Sequence, residues 1–325
     1  MNQLNVRLEV MQTIGKFMGE WLTKYLKPID ENWQPSDLLP NASDPDFFDE
    51  LKEIQALAKE MNYDLFAVLI GDTITEEALP TYESWLMNIE GVGQEQDNPW
   101  SKWIRAWTAE ENRHGDLLNT YLYLSGRVNM REMEASTQHL INDGFDIQTG
   151  RDPYRNFIYT SFQELATNIS HRRVASLVKQ AGNKQLAKIC GVIAADESRH
   201  ASAYSHFVQR IFEIDASEMM LAFEDMMRKK IVMPAHFLRA SGEAIGTLFS
   251  HFSDAAQRTM VYTTHDYINI LKSLLAEWDI EHTIGLNDSA EKARDYLMAL
   301  PQRLERIAER IRIPEKQFEF KWILG

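Results

Sequence analysis

A single cysteine, Cys190, is all the thiol that this 325-residue sequence holds. An internal disulfide is impossible, and so is a multi-cysteine zinc or iron–sulfur site. Such a count fits a reducing compartment. Glycine and proline are also few for the length, at 15 and 10 residues, which rules out a loop-rich or low-complexity chain. No uninterrupted apolar stretch approaches the roughly 20 residues that a bilayer-crossing helix needs. Positive charge is in deficit, with 34 Lys and Arg against 48 Asp and Glu, a net charge of −14. A broad nucleic-acid-binding surface is therefore excluded, because phosphate neutralisation needs clustered Lys and Arg. An acidic partner would have to meet a local basic patch.

What the chain does have is helical periodicity. Its hydrophobic content, 44%, is enough for a sizeable core. In residues 1–28, Leu4, Leu8, Met11, Phe17, Met18, Trp21, Leu22 and Tyr25 form a helical stripe interrupted by Glu9, Lys16, Glu20 and Lys24. That pattern predicts an amphipathic helix of the fold, not a signal peptide, and a soluble cytoplasmic protein. A proline-rich loop follows over 27–46. Helices are predicted over 47–89, broken near Asn62, then 100–124, 130–141, 154–180 and 184–212, with further amphipathic helices over 215–313. Phe318, Phe320, Trp322 and Leu324 alternate with other residues and predict one short strand. No boundary separates 215–325 as an independent unit, so a single domain over 1–325 is expected, with 1–46 as its N-terminal helix and loop.

Two carboxylate–histidine pairs stand out, Glu111 with His114 and Glu197 with His200. Residues i and i+3 share one side of a helix, so each pair can present an oxygen and a nitrogen to one point. Each pair is led by a lone glutamate on an upstream helix, Glu76 in the first half and Glu164 in the second. Apolar neighbours turn both pairs inward: Trp107, Leu118 and Tyr121 around the first, Ile193, Tyr204 and Phe207 around the second. A buried carboxylate costs several kcal/mol unless it is paired or metal-bound. Four glutamates balance two divalent cations, and oxygen and imidazole donors suit iron or manganese. Four carboxylates and two histidines on four helices are the ligand set of a di-metal carboxylate bundle. Glu77, Glu110 and Asp196 adjoin the ligands but should point elsewhere. The other seven histidines, His171 among them, are expected at the core edge or surface.

Several runs closely resemble the soluble acyl-acyl carrier protein desaturases: 71–82 (GDTITEEALPTY), 105–116 (RAWTAEENRHGD), 157–164 (FIYTSFQE), 194–200 (AADESRH) and 225–231 (DMMRKKI) with 233–236 (MPAH). The resemblance extends from about Trp33 to Trp322. It implies an all-α, ferritin-like four-helix di-iron bundle with added helices, acting as a homodimer. It implies two iron ions per chain, one served by Glu76 and His114 and the other by Glu164 and His200, with Glu111 and Glu197 bridging. The implied activity is O2-dependent insertion of a cis double bond into a saturated acyl chain carried on acyl carrier protein, with ferredoxin as electron donor. Thr167 matches a hydroxyl residue near the oxygen site; an ordinary helical threonine bonding back to a carbonyl is the alternative. Trp33 and Asp196 match positions linked with electron transfer into the centre. Arg228, Lys229 and Lys230 are candidates for docking the acidic carrier. Trp85, Asn88 and Asn156 stand where plant relatives tend to have Met, Thr and Gly, and predict an altered or shortened acyl tunnel. A plastid stroma, after removal of a transit peptide, is the alternative location. The alternative functions are a ferritin-like iron store and a di-iron hydroxylase.

Overall fold

The computed structural model describes residues 3–93, 95 and 97–324. Twelve α-helices organise them: α1 (Gln3–Gly15), α2 (Met18–Tyr25), α3 (Phe47–Glu60), α4 (Tyr63–Glu76), α5 (Leu79–Leu86), α6 (Pro99–Ser125), α7 (Met130–Asp143), α8 (Pro153–Gln180), α9 (Lys184–Lys229), α10 (Phe249–Arg258), α11 (Thr264–Glu277) and α12 (Asp288–Ala308). The all-α expectation holds, and the central bundle is α4, α6, α8 and α9.

Each bundle helix starts at a side-chain cap. The Oδ1 of Asn62 accepts from Leu65 N, that of Asn98 from Trp100 N and Ser101 N, that of Asp152 from Tyr154 N, and that of Asn183 from Leu186 N. Pro99 and Pro153 follow their caps directly, where a missing N–H costs nothing. Residues 47–89 form three helices instead of the two expected. Pro80, in the first turn of α5, has no N–H to give the carbonyl of Glu76, so α4 ends on that residue.

Two further expectations are corrected. Helix α9 does not stop near Phe212; it bends at Asp215 (φ −139°, ψ 58°) and continues to Lys229. Tyr154 Oη donates to Asp215 Oδ2 at 2.9 Å at the bend, and Met219, Met220, Phe223, Met226 and Met227 are buried beyond it. The tail is not a strand. Among the described residues its only β pairing is one bridge between Ile323 and Val128. Phe320 and Trp322 are buried with rings stacked at 5.0 Å while Glu319 and Lys321, before and between them, are exposed, so the alternation does sort inward from outward residues, without a strand ladder.

The core below the site is aromatic. Trp100, Trp103 and Trp107 recur at helical spacing on α6 and meet Phe157 of α8 and Tyr204 and Phe207 of α9, with ring centroids 5.0–6.2 Å apart. Aromatic pairs of this kind add about 0.5–1.5 kcal/mol each beyond their buried area. They form a rigid, dry floor one turn from Glu111 and His200.

Candidate metal centre

The stripe on α6 continues from Trp107 to Glu111 and His114, and that on α9 from Tyr204 back to His200 and Glu197. Glu76 enters from the end of α4 and Glu164 from the middle of α8. The six predicted residues converge as two overlapping sets: Glu76, Glu111, His114 and Glu197, and Glu111, Glu164, Glu197 and His200. Within each set one donor atom per residue lies within 4.8 Å of all the others. Glu111 and Glu197 belong to both. His114, His200, Glu164, Glu197 and Glu111 are buried, and Glu76 is partly so.

The two Nδ1 atoms face inward. His114 Nδ1 lies 3.2 Å from Glu197 Oε1, 3.4 Å from Glu111 Oε2 and 3.7 Å from Glu76 Oε2. His200 Nδ1 lies 2.6 Å from Glu111 Oε1 and 3.5 Å from Glu164 Oε2. None of these approaches is a formed hydrogen bond: both Nδ1 atoms, Glu111 Oε1, Glu164 Oε2 and Glu197 Oε1 are buried without a partner. An orphaned buried polar atom costs roughly 1–3 kcal/mol, and more if charged. Orphans that share two points are what a pair of cations satisfies. Burial pushes the Glu164 carboxyl far up, as do the neighbouring Glu111 and Glu197 charges, and His200 does not offset them. Three carboxylates this close in a dry core need positive charge between them. The donor set, all oxygen and imidazole, fits iron or manganese.

Outside this ring stand the acids that precede the bridging glutamates. His200 Nε2 donates to Glu110 at 3.0 Å, and His114 Nε2 faces Asp196 at 3.5 Å. Glu110 also takes the Lys27 amide, Asn32 and Arg199. Burial raises its pKa, but His200 and these donors outweigh burial and hold it at about 2. Asp196 receives the Trp33 indole at 3.0 Å and Arg199 at 2.5 Å, with Arg113 at 3.5 Å. With His114 these hold it well below the usual carboxylate range despite its burial. The Glu110 bond fixes the tautomer of His200, leaving its inward Nδ1 as the lone-pair nitrogen, whereas His114 Nε2 approaches Asp196 without a formed hydrogen bond. Glu110 and Asp196 thus do point away from the centre, onto the outer faces of the histidines. Glu77 does not join them, and bonds Asn119 and Thr137.

Thr167 bonds back to its helix, as the ordinary helical reading expects, and also reaches a carboxylate of the centre. Its Oγ1 lies 3.2 and 3.1 Å from the carbonyls of Gln163 and Glu164 and 2.6 Å from Glu197 Oε2. Two residues were missed from the sequence. Trp107 Nε1 donates to Glu164 Oε1 at 3.1 Å, and His171 Nε2 lies 2.9 Å from Glu76 Oε1. The expectation of a core-edge or surface His171 is corrected, since it is buried. Its spacing of seven from Glu164 and four from Thr167 was the available signal for a shared face.

A cavity of about 360 Å³ opens beside the centre. Thr75, Tyr82, Gln163 and Thr167 line both it and a void of about 20 Å³ that touches Glu76, Glu111 and Glu197. Beyond Tyr82, Trp107 and Gln163 a last space of about 10 Å³ ends at Trp85, Leu86, Ile147 and Asn156. Trp85 and Asn156 line that space, whereas Asn88 is exposed and bonds back to the Ser84 carbonyl. The basic trio is mostly engaged, Arg228 by Glu224 at 2.7 Å and Lys229 by Asp225 at 2.8 Å. Lys230 is exposed and lines the large cavity.

Comparison with known proteins fits this geometry. A family model described as fatty acid desaturase matches residues 6–324. The chain is 49% identical over 323 residues to the chloroplastic stearoyl-[acyl-carrier-protein] 9-desaturase of Spinacia oleracea, covering 98% of this chain and 80% of that protein. It is 47% identical over 323 residues to the corresponding enzyme of Ricinus communis, covering 98% and 81%. A solved structure from Mycobacterium tuberculosis H37Rv, described provisionally as an acyl-ACP desaturase, matches with a TM-score of 0.53 and 14% identity. It covers 88% of this chain and 99% of that one, and at such identity it supports the fold alone. With matches spanning nearly its whole length, the chain belongs to the fatty acid desaturase family.

Proposed function

We propose that this protein, as a single 1–325 unit, removes two hydrogens from a saturated acyl chain carried on acyl carrier protein. The observation that carries this is the pair of buried ligand sets sharing Glu111 and Glu197, beside an apolar-walled cavity of about 360 Å³. The reaction consumes one O2, two electrons and two protons per double bond, and yields two waters. Methylene C–H bonds are too strong for side-chain acid–base chemistry, so the bound metal pair supplies the oxidising power.

Glu76 and His114 would hold one iron and Glu164 and His200 the other, with Glu111 and Glu197 common to both. Glu110 and Asp196 hold the imidazole rings in register. The aromatic floor of Trp103, Trp107 and Tyr204 excludes water from one side. Tyr82, Gln163 and Thr167, between the cavity and the carboxylates, orient the chain, and the Thr167 hydroxyl keeps Glu197 Oε2 in place. Lys230 is the member of the basic trio free to meet an acidic carrier.

Electrons come from a separate donor, for which the family resemblance supports ferredoxin; the same resemblance supports a homodimer. Among the described residues no helix is long and apolar enough to cross a membrane. We place the enzyme in the cytoplasm, or in the plastid stroma as for its chloroplastic relatives. The test is anaerobic loading with Fe(II), then incubation with acyl carriers of several chain lengths, ferredoxin and O2. Gas chromatography with mass detection should show products two mass units lighter. Products sixteen units heavier, or a mineral core in place of turnover, would overturn this reading.

A further inference from the structure

Glu76 and Glu164 hold matched places in the two halves of the centre, and each carboxylate is met by two ring nitrogens. Oε2 of each faces an inward imidazole nitrogen, at 3.7 Å from His114 Nδ1 and 3.5 Å from His200 Nδ1. Oε1 of each is held from behind by a ring nitrogen on a neighbouring helix: Trp107 Nε1 at 3.1 Å for Glu164, His171 Nε2 at 2.9 Å for Glu76. A carboxylate only accepts, so Nε2 of His171 carries the hydrogen whether the ring is neutral or charged.

We propose that His171 is a positioning residue, the counterpart of Trp107, which fixes the Glu76 carboxylate and so sets metal affinity in the Glu76/His114 half alone. Without this contact the carboxylate can rotate, because Glu76 is the last residue of α4 and the chain turns away immediately after it. Glu164, in the middle of α8, has its backbone fixed on both sides. His171 is itself braced. Its ring is buried, and Ser170 Oγ holds the neighbouring Asp72 Oδ2 at 2.7 Å.

This rests on the metal reading above, and metal uptake tests the two separately. Apoprotein is titrated with Co(II) alone, followed by its d–d absorption. The wild type should take up two equivalents. His171→Phe should bind one equivalent as the wild type does and the other about 10–100-fold more weakly, as outer-ligand losses do. His171→Gln, which keeps an N–H donor, should recover most of that affinity. In a His200→Ala background, His171→Phe should weaken the remaining equivalent and Trp107→Phe should leave it unchanged. Equal weakening of both equivalents, normal binding by His171→Phe, or no rescue by glutamine overturns the assignment. A wild type that binds no pair of ions overturns the metal reading itself, and this inference with it.

Discussion

Glu110 of α6 holds the outer nitrogen of His200, a residue of α9, at 3.0 Å. Asp196 of α9 faces the outer nitrogen of His114 of α6 at 3.5 Å, short of a formed hydrogen bond, so the acid preceding each bridging glutamate lies against the histidine of the opposite helix. This crossing ties the two halves together independently of any ion. It predicts that Glu110→Ala weakens metal binding about 10–100-fold and also frees Arg199, with Glu110→Gln milder. Fe(II) titration under anaerobic conditions measures this, and unchanged affinity in Glu110→Ala would refute the crossed support.

Removing a ligand should be more severe. Glu111→Ala and His200→Ala are expected to abolish turnover while the helical circular dichroism signal is kept. Full activity in either variant, measured by product formation, contradicts the ligand assignment. Treating the enzyme with a chelator should likewise stop turnover, and Fe(II) should restore it.

Chain-length preference should depend on the closed end of the tunnel. Trp85 packs edge-on against Phe145 at 4.9 Å and Tyr82 at 6.4 Å, and Asn156 is held by the Gly150 and Asp152 carbonyls. Trp85→Ala and Asn156→Gly remove that stop. Relative kcat/KM should move toward longer acyl chains, on the order of tenfold. Competition among acyl carriers of graded length reads this out. Asn88→Thr should change nothing, because that side chain is outside the tunnel.

Gly71 lies where α10 crosses α4. A Cβ added there would come within 2.2 Å of Phe252 Cε2. Gly71→Ala should destabilise the fold by about 1–3 kcal/mol through overpacking. Phe252→Leu in the same chain should recover part of the loss, seen as a return of Tm.

Acid stability should depend on Asp266. Burial raises its pKa, but two bonds from Arg173 and those from Thr263 outweigh burial and hold the carboxylate below its usual range. Because the folded pKa is depressed, the contribution is present above the unfolded value of about 4 and is lost as pH falls below it. Asp266→Asn should be less stable at neutral pH and show a flatter decline between about pH 5 and 3. Urea midpoints across that range decide it, and parallel curves would refute the role.

The starts of the bundle helices and the ligand spacing could be read from the sequence because each is a local property. Asn98, Asp152 and Asn183 mark helix starts by the hydrogen bonds that they alone can make, and the i, i+3 rule places Glu111 with His114 whatever surrounds them. The bend at Asp215 and the folded-back tail were not readable. Each depends on a distant partner, Tyr154 in one case and Val128 in the other.

By itself the sequence determined that four helices would carry six inward donors of hard-ligand chemistry, since periodicity and residue type are written along the chain. Only the tertiary structure decided which outer groups hold those donors: Glu110 on His200, Trp107 on Glu164, and His171 on Glu76. A hydrogen bond between helices depends on crossing geometry and on an exact match of two side-chain lengths, and neither quantity has a period in the sequence.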